Sequence, residues 1–161
     1  MATVHWICGL PGTGKTTFAR QLSAGGKAVL LNHDGRMRAR HGANPSAAIF
    51  ADAAARVTEE LWAEAAGYLA GGRDVVLDWG FWTRAERDDA RRRIRAIGAG
   101  SVLYQCNCPH DLARRRTVER TLCGGEGVLM INAEAWDLFQ ARFEPLGSDE
   151  VRAGVVVVAE D

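Results

Sequence analysis

The stretch "GLPGTGKTT" at residues 9–17 constrains this chain more than any other. It follows an apolar run at 4–8 and leads into a helical pattern that begins at Lys15. Three glycines and three threonines among nine residues suit neither a strand nor a helix interior. Gly9, four residues, then Gly14, Lys15 and Thr16 match G-x-x-x-x-G-K-[ST]. In such a loop the glycines let the backbone curl until successive N–H groups face phosphate oxygens, and the helix that follows adds its positive end. Gly9, Pro11, Gly12, Thr13, Gly14, Lys15, Thr16 and Thr17 are therefore the expected nucleotide contacts. Lys15 supplies charge to the β- and γ-phosphates, and Thr16 offers its hydroxyl to Mg²⁺. The alternative is a Gly-rich turn that happens to fit, but the strand before and the helix after favour binding of a nucleoside triphosphate.

The remaining pattern supplies a frame for that loop. Short runs rich in β-branched residues at 4–8, 28–31, 75–77, 102–106 and 155–158 alternate with longer segments of helical spacing. Phe50, Ala54, Val57, Leu61, Ala65 and Tyr68 recur at three- and four-residue steps, which predicts one apolar stripe on a long helix ended by Gly71 and Gly72. Thr83 with Glu86 has the form of a capping box. It opens a helix expected to bury Ala90, Ile94 and Ile97 while its arginines face water. A further helix is expected after Pro109, and another carries Trp136, Phe139 and Phe143. Strands joined by helical crossovers imply a mainly parallel sheet covered on both faces, an α/β fold.

Length and charge set limits on function. With 161 residues, 47% of them apolar, the chain supports one ordinary core, so a single domain over residues 1–161 is expected. Lys and Arg together number 20, as do Asp and Glu, so the overall field gives no reason to expect nonspecific attraction to nucleic acid or membrane. No apolar run approaches the ~20 residues that a membrane-spanning helix needs. The amino-terminal residues lack the pattern of a signal peptide. Four cysteines do not form a disulfide framework at this size, and a reducing cytoplasm fits best. A monomer and a homodimer both remain open. An N-K-x-D guanine signature is absent, which leans the base preference toward ATP.

Ligands of parallel α/β sheets sit at the carboxyl ends of the strands. The second strand runs into "LNHDGRMRAR", placing Asp34 where a carboxylate could accept the proton of an attacking hydroxyl; its other reading is a capping Asp. Arg36 and Arg38 follow, either to hold an anionic part of a substrate or to solvate the surface. The third strand ends in Asp78, which resembles the carboxylate that orients Mg²⁺ beside a phosphate-binding loop. Trp79 and Trp82 come next, as an apolar wall for a substrate or as core. After the fourth strand, Arg116 and Arg120 lie one helical turn apart, ahead of a glycine-bearing stretch at 124–127. This lid, at about 113–130, could bring guanidinium charge to a transferring phosphoryl group. Cys106, Cys108 and His110 lack the spacing of a four-ligand zinc site.

Together "GLPGTGKTTFAR", "LNHDGR", "VVLDWGFWTRAERD" and the arginines after "NCPHDLARRR" resemble the small P-loop kinases grouped with AAA-type ATP-binding proteins. More distantly, they resemble phage polynucleotide kinase, chloramphenicol phosphotransferase and zeta toxins. The resemblance covers most of the chain. It implies a three-layer fold with a five-stranded parallel sheet in the order 2-3-1-4-5. It also implies Lys15 and Thr16 as the P-loop pair, Asp34 as general base, Asp78 as third-strand carboxylate, and Arg116 or Arg120 as lid arginine. Polynucleotide kinase carries an arginine three residues after its base, where this chain has Met37. The expected activity is ATP- and Mg²⁺-dependent phosphorylation of a small-molecule hydroxyl. The alternatives are a polynucleotide 5′-hydroxyl kinase and, from a different class, a nucleotide-dependent regulatory switch.

Overall fold

The computed structural model describes residues 1–124 and 129–159. Five strands, β1 (Thr3–Cys8), β2 (Ala28–Asn32), β3 (Asp74–Asp78), β4 (Gly100–Asn107) and β5 (Val155–Ala159), form one parallel sheet in the order β2-β3-β1-β4-β5. The order matches the one implied by the resemblance. β1 is central, its Trp6 aligned with Leu77 of β3 and Leu103 of β4. It therefore delivers the phosphate-binding loop between two strand ends, where the strand order reverses.

Side chains alternate between the sheet's faces, and each face is covered by helices. Val4, Trp6, Cys8, Val75 and Leu77 pack with Met37 of α2 (His33–His41), with α3 (Ala47–Ala70), and with Ala90 and Ile94 of α4 (Arg84–Ile97). Ile7, Val76 and Cys106 face the other way, onto Ala19 of α1 (Lys15–Ser23). Beside them, Leu10, Cys108, Ala113 and Trp136 form a third cluster that joins α5 (His110–Cys123) to α6 (Ala133–Arg142). A short helix, α7 (Ser148–Arg152), precedes β5. Among the described residues no helix is long and apolar enough to cross a membrane.

The long helix is present, but its buried row differs from the predicted stripe at the ends. Ala53, Val57, Leu61, Ala65 and Leu69 line up at four-residue steps with Trp62 beside them, whereas Phe50 is 37% exposed and Tyr68 is only partly buried. The buried row of this 24-residue helix keeps to four-residue steps, and a mixture of three- and four-residue steps drifts off it. Each Leu or Val fully buried there contributes about 1.5–3 kcal/mol.

The predicted capping box opens α4 as expected: the Glu86 N–H donates to Thr83 Oγ1 at 3.2 Å, and the Thr83 N–H donates to Glu86 Oε2 at 3.1 Å. The expectation that the arginines of α4 face water is wrong for Arg87, which is 0% exposed. Its guanidinium donates to Glu150 Oε1 at 2.9 Å and Oε2 at 3.0 Å, and also to the carbonyls of Phe81, Trp82 and Pro145. A fork with five N–H donors satisfied this fully can be buried, because its charge is matched and its donors are spent. Helix α7, in the stretch at 143–150 just before β5, supplies the matching carboxylate.

Candidate active site

The loop between β1 and α1 has the backbone its sequence requires. Gly12 (φ 84°) and Gly14 (φ 87°) lie in the left-handed region, and Gly14 caps α1. The space matters as much as the dihedral: a Cβ on Gly12 would lie 2.1 Å from the Ala113 carbonyl oxygen and 2.6 Å from Thr117 Oγ1. The outer side of the loop is tied down. Trp82 Nε1 donates to the Gly9 carbonyl at 3.0 Å, Trp136 Nε1 to the Pro11 carbonyl at 3.0 Å, and the Cys108 thiol to the Gly12 carbonyl at 3.8 Å. The Gly9 N–H donates to the Gly80 carbonyl at 3.1 Å. A trans peptide whose carbonyl is held against the protein turns the following N–H the opposite way. Thr13 is buried and its hydroxyl donates to the Leu10 carbonyl at 2.7 Å, whereas Thr17 is exposed in the first turn of α1.

Lys15 folds back over the loop and donates to the Leu10 carbonyl at 2.8 Å. Burial lowers its pKa from the usual lysine range, with Asp78 and Asp34 pulling in the opposite direction. A phosphate oxygen can take the place of the Leu10 carbonyl as acceptor for this ammonium.

Asp78 ends β3 with 3% of its surface exposed. Its Oδ2 accepts from the Thr16 hydroxyl at 2.8 Å and from Asn32 Nδ2 at 2.6 Å. The phosphate-loop threonine and the third-strand carboxylate expected to share a cation are thus in direct contact.

Asp34 lies in the first turn of α2, a helix the sequence reading did not foresee, capped by Asn32 through the Gly35 N–H. An acidic residue at this end of a helix complements its dipole. Asp34 is exposed, with protein crowding its carboxyl group. That crowding raises its carboxyl above the usual range, opposed by Lys15 and His33 and reinforced by Asp78; the Arg120 charge acts on it in the lowering direction. Thr16 and Asp78 are in direct contact, and the charges of Lys15, Asp78 and Arg120 are all felt at Asp34. Arg116 is exposed on α5 one turn before Arg120. The glycine-bearing stretch falls mainly outside the described residues, at 125–128.

The remaining candidates are more firmly engaged with the protein. Arg36 makes a two-point bond to Glu64 of α3, both contacts at 2.9 Å, and Arg40 reaches Glu60 at 2.7 Å. Arg38 is half-buried on the same helix. Trp79 packs edge-on against Trp62, with ring centroids 5.8 Å apart, and lies beside Phe81 and His33. Trp82 stacks on Phe139 at 4.6 Å. Cys8 is buried with its thiol pushed up to about 11, chiefly by desolvation, so it is no nucleophile.

Sequence reasoning missed Asn32 as a functional position, although Asn three residues ahead of Gly at a strand end is a legible N-cap signal. Phe81, between Trp79 and Trp82 in the aromatic cluster after Asp78, holds φ 47°. Such a conformation persists in a non-glycine residue only when neighbours hold it. Here Arg87 and the Cys8 thiol both donate to the Phe81 carbonyl.

The donor set fits Mg²⁺: a hydroxyl and a buried carboxylate, both hard oxygens, beside a phosphate-binding loop. No group of three or more His, Cys, Asp or Glu side chains suited to a metal occurs among the described residues, the Cys106, Cys108 and His110 neighbourhood included.

A five-stranded parallel sheet in this order, with a G-x-x-x-x-G-K-T loop on its central strand and an aspartate ending the neighbouring one, defines the P-loop kinase fold. The chain belongs to the AAA domain family AAA_33, which matches residues 4–146. Among solved structures it is similar to a kinase candidate from Chloroflexus aurantiacus J-10-fl, with a TM-score of 0.76 and 19% identity over 98% of this chain and 88% of that one. Chaetomium thermophilum Kti12 in complex with ADP-AlF3 gives a TM-score of 0.71 and 24% identity over 98% of this chain and 89% of that one. A sugar kinase from Janibacter sp. HTCC2649 gives 0.67 and 16% identity over 99% and 86%. No match is found among curated proteins.

Proposed function

We propose that this chain is an ATP- and Mg²⁺-dependent kinase that phosphorylates a hydroxyl group of a small molecule. The observation that carries this reading is the Thr16–Asp78 contact beside the phosphate-binding loop, with Asp34 in the first turn of a helix whose cap, Asn32, is bonded to the same Asp78. The loop N–H groups and Lys15 hold the β- and γ-phosphates. Thr16 and Asp78 hold the Mg²⁺, which when bound neutralises charge on those phosphates. Asp34 accepts the proton as the acceptor oxygen bonds to the γ-phosphorus, the bond to the β,γ-bridging oxygen breaks, and ADP leaves. Arg120, with Arg116 on the same helix, offers positive charge to the phosphoryl group in flight. The similarity to a sugar kinase and to an ADP-AlF3 complex supports a nucleotide donor and a small hydroxyl acceptor. The balanced net charge offers nothing to a nucleic-acid partner.

The test is incubation with [γ-³²P]ATP and Mg²⁺ in the presence of a deproteinised metabolite pool and a 5′-hydroxyl oligonucleotide. Label in a small molecule is expected. Label on the oligonucleotide makes the protein a nucleic-acid end kinase, and label released only as inorganic phosphate makes it a regulatory ATPase.

A further inference from the structure

Asn32 joins two halves of the site that no sequence motif links. Its Nδ2 donates to Asp78 Oδ2 at 2.6 Å, on the side of Thr16 and the phosphate loop. Its Oδ1 accepts from the Gly35 N–H, on the side of the helix that carries Asp34. The amide orientation follows from the partners: a carboxylate only accepts here and a main-chain N–H only donates, so nitrogen faces Asp78 and oxygen faces Gly35.

The approach of Asn32 Oδ1 to residue 35 is close. A Cβ at residue 35 would stand 2.6 Å from Asn32 Oδ1. Glycine in a helical turn costs about 1 kcal/mol relative to alanine, and the Asn32 carboxamide occupies the room that this glycine leaves.

We propose that Asn32 is a positioning residue that couples the cation-and-phosphate side of the site to the helix bearing Asp34; this rests on the nucleotide-site reading above. A carboxamide is planar and conjugated, so its nitrogen and oxygen cannot turn separately. When a cation draws on Asp78 and the Thr16 hydroxyl, the bond to Nδ2 changes. The rigid amide passes that change to Oδ1 and the Gly35 N–H, and hydrogen bonds in series polarise one another. Asp34, one residue away, is thereby set in register with the loaded phosphate loop.

The test substitutes Asn32→Ser in the full chain. Serine caps a helix about as well as asparagine but has no second arm for Asp78. Amide ¹H–¹⁵N shifts are recorded with and without Mg²⁺ and AMPPNP. In the parent protein Gly12, Gly14 and Gly35 should all move. In Asn32→Ser the responses of Gly12 and Gly14 should persist while that of Gly35 falls below about half. An undiminished Gly35 response in Asn32→Ser overturns the coupling. Silence at Gly12 and Gly14 in the parent protein sinks the nucleotide reading and the coupling with it, a distinguishable result. Thermal melts separate capping from coupling: Asn32→Ala, which loses both arms, should melt about 2–4 °C lower, while Asn32→Ser should melt near the parent temperature. A Gly35 response lost equally in both variants together with equal melting losses would make Asn32 a cap alone.

Discussion

Glu150 and Arg87 meet at 2.9 Å with 1% and 0% of their side-chain surfaces exposed, joining α7 to α4 beneath the turn that follows Asp78. Burial alone would raise the Glu150 pKa. Hydrogen bonds from Arg87, the Gly147 N–H and Arg91 outweigh it and bring the carboxyl down to about 2. Because the folded value is depressed below the ordinary 4.5, this group's stabilisation is complete above pH 4.5 and is lost as pH falls toward about 2. Glu150→Gln strands the guanidinium and should cost about 3–5 kcal/mol at pH 7 in urea unfolding, with a shallower acid limb between those pH values. The double substitution Arg87→Met with Glu150→Leu should recover only part of the loss: it removes the stranded guanidinium, but Arg91 and the Gly147 N–H lose their Glu150 acceptor and the Pro145 carbonyl loses its Arg87 donor.

Lys15 lies against the Leu10 carbonyl, and that contact must exchange for phosphate. Lys15→Ala should weaken AMPPNP binding by about 10- to 150-fold in calorimetric titration, as expected for a charge-assisted contact worth about 1.5–3 kcal/mol. Unchanged affinity would remove Lys15 from the phosphate cradle.

Asp34→Asn keeps the shape of the side chain and removes the base. Phosphoryl transfer to the acceptor found by the labelling screen should fall by about 10²–10⁴. MgAMPPNP affinity should change little. A variant that transfers at the parental rate would leave Asp34 as the first-turn acid of α2 and nothing more.

Trp82→Phe preserves an aromatic ring over Phe139 but deletes the N–H that holds the Gly9 carbonyl at 3.0 Å. The melting temperature should drop by about 2–4 °C for a bond worth about 1 kcal/mol. Nucleotide affinity should weaken as well, because the released carbonyl starts the phosphate loop.

What the sequence made legible followed the range of the interactions. The phosphate loop, the Thr83–Glu86 box and the strand-terminal Asp78 are local patterns, each written within a few residues, and each stands where it was expected. Asn32 was half legible: its cap on Gly35 is local, but its bond to Asp78 spans 46 positions and exists only once β2 lies beside β3. Arg87 was misread for the same reason. Three further arginines follow it within six residues, and nothing in α4 marks it as buried; its partner lies 63 residues on, in a stretch without periodicity. The aromatic residues after Asp78 divided by partner: Trp79 is taken up by Trp62 and Phe81, and Trp82 by Phe139 and the phosphate loop.

Gly12 touches the main chain of α5 so closely that no side chain fits between them, with Thr117 closing the same gap. The first two turns of α5 are therefore locked to the β1–α1 loop, and neither Ala113 nor Thr117 can shift without carrying Gly12 along.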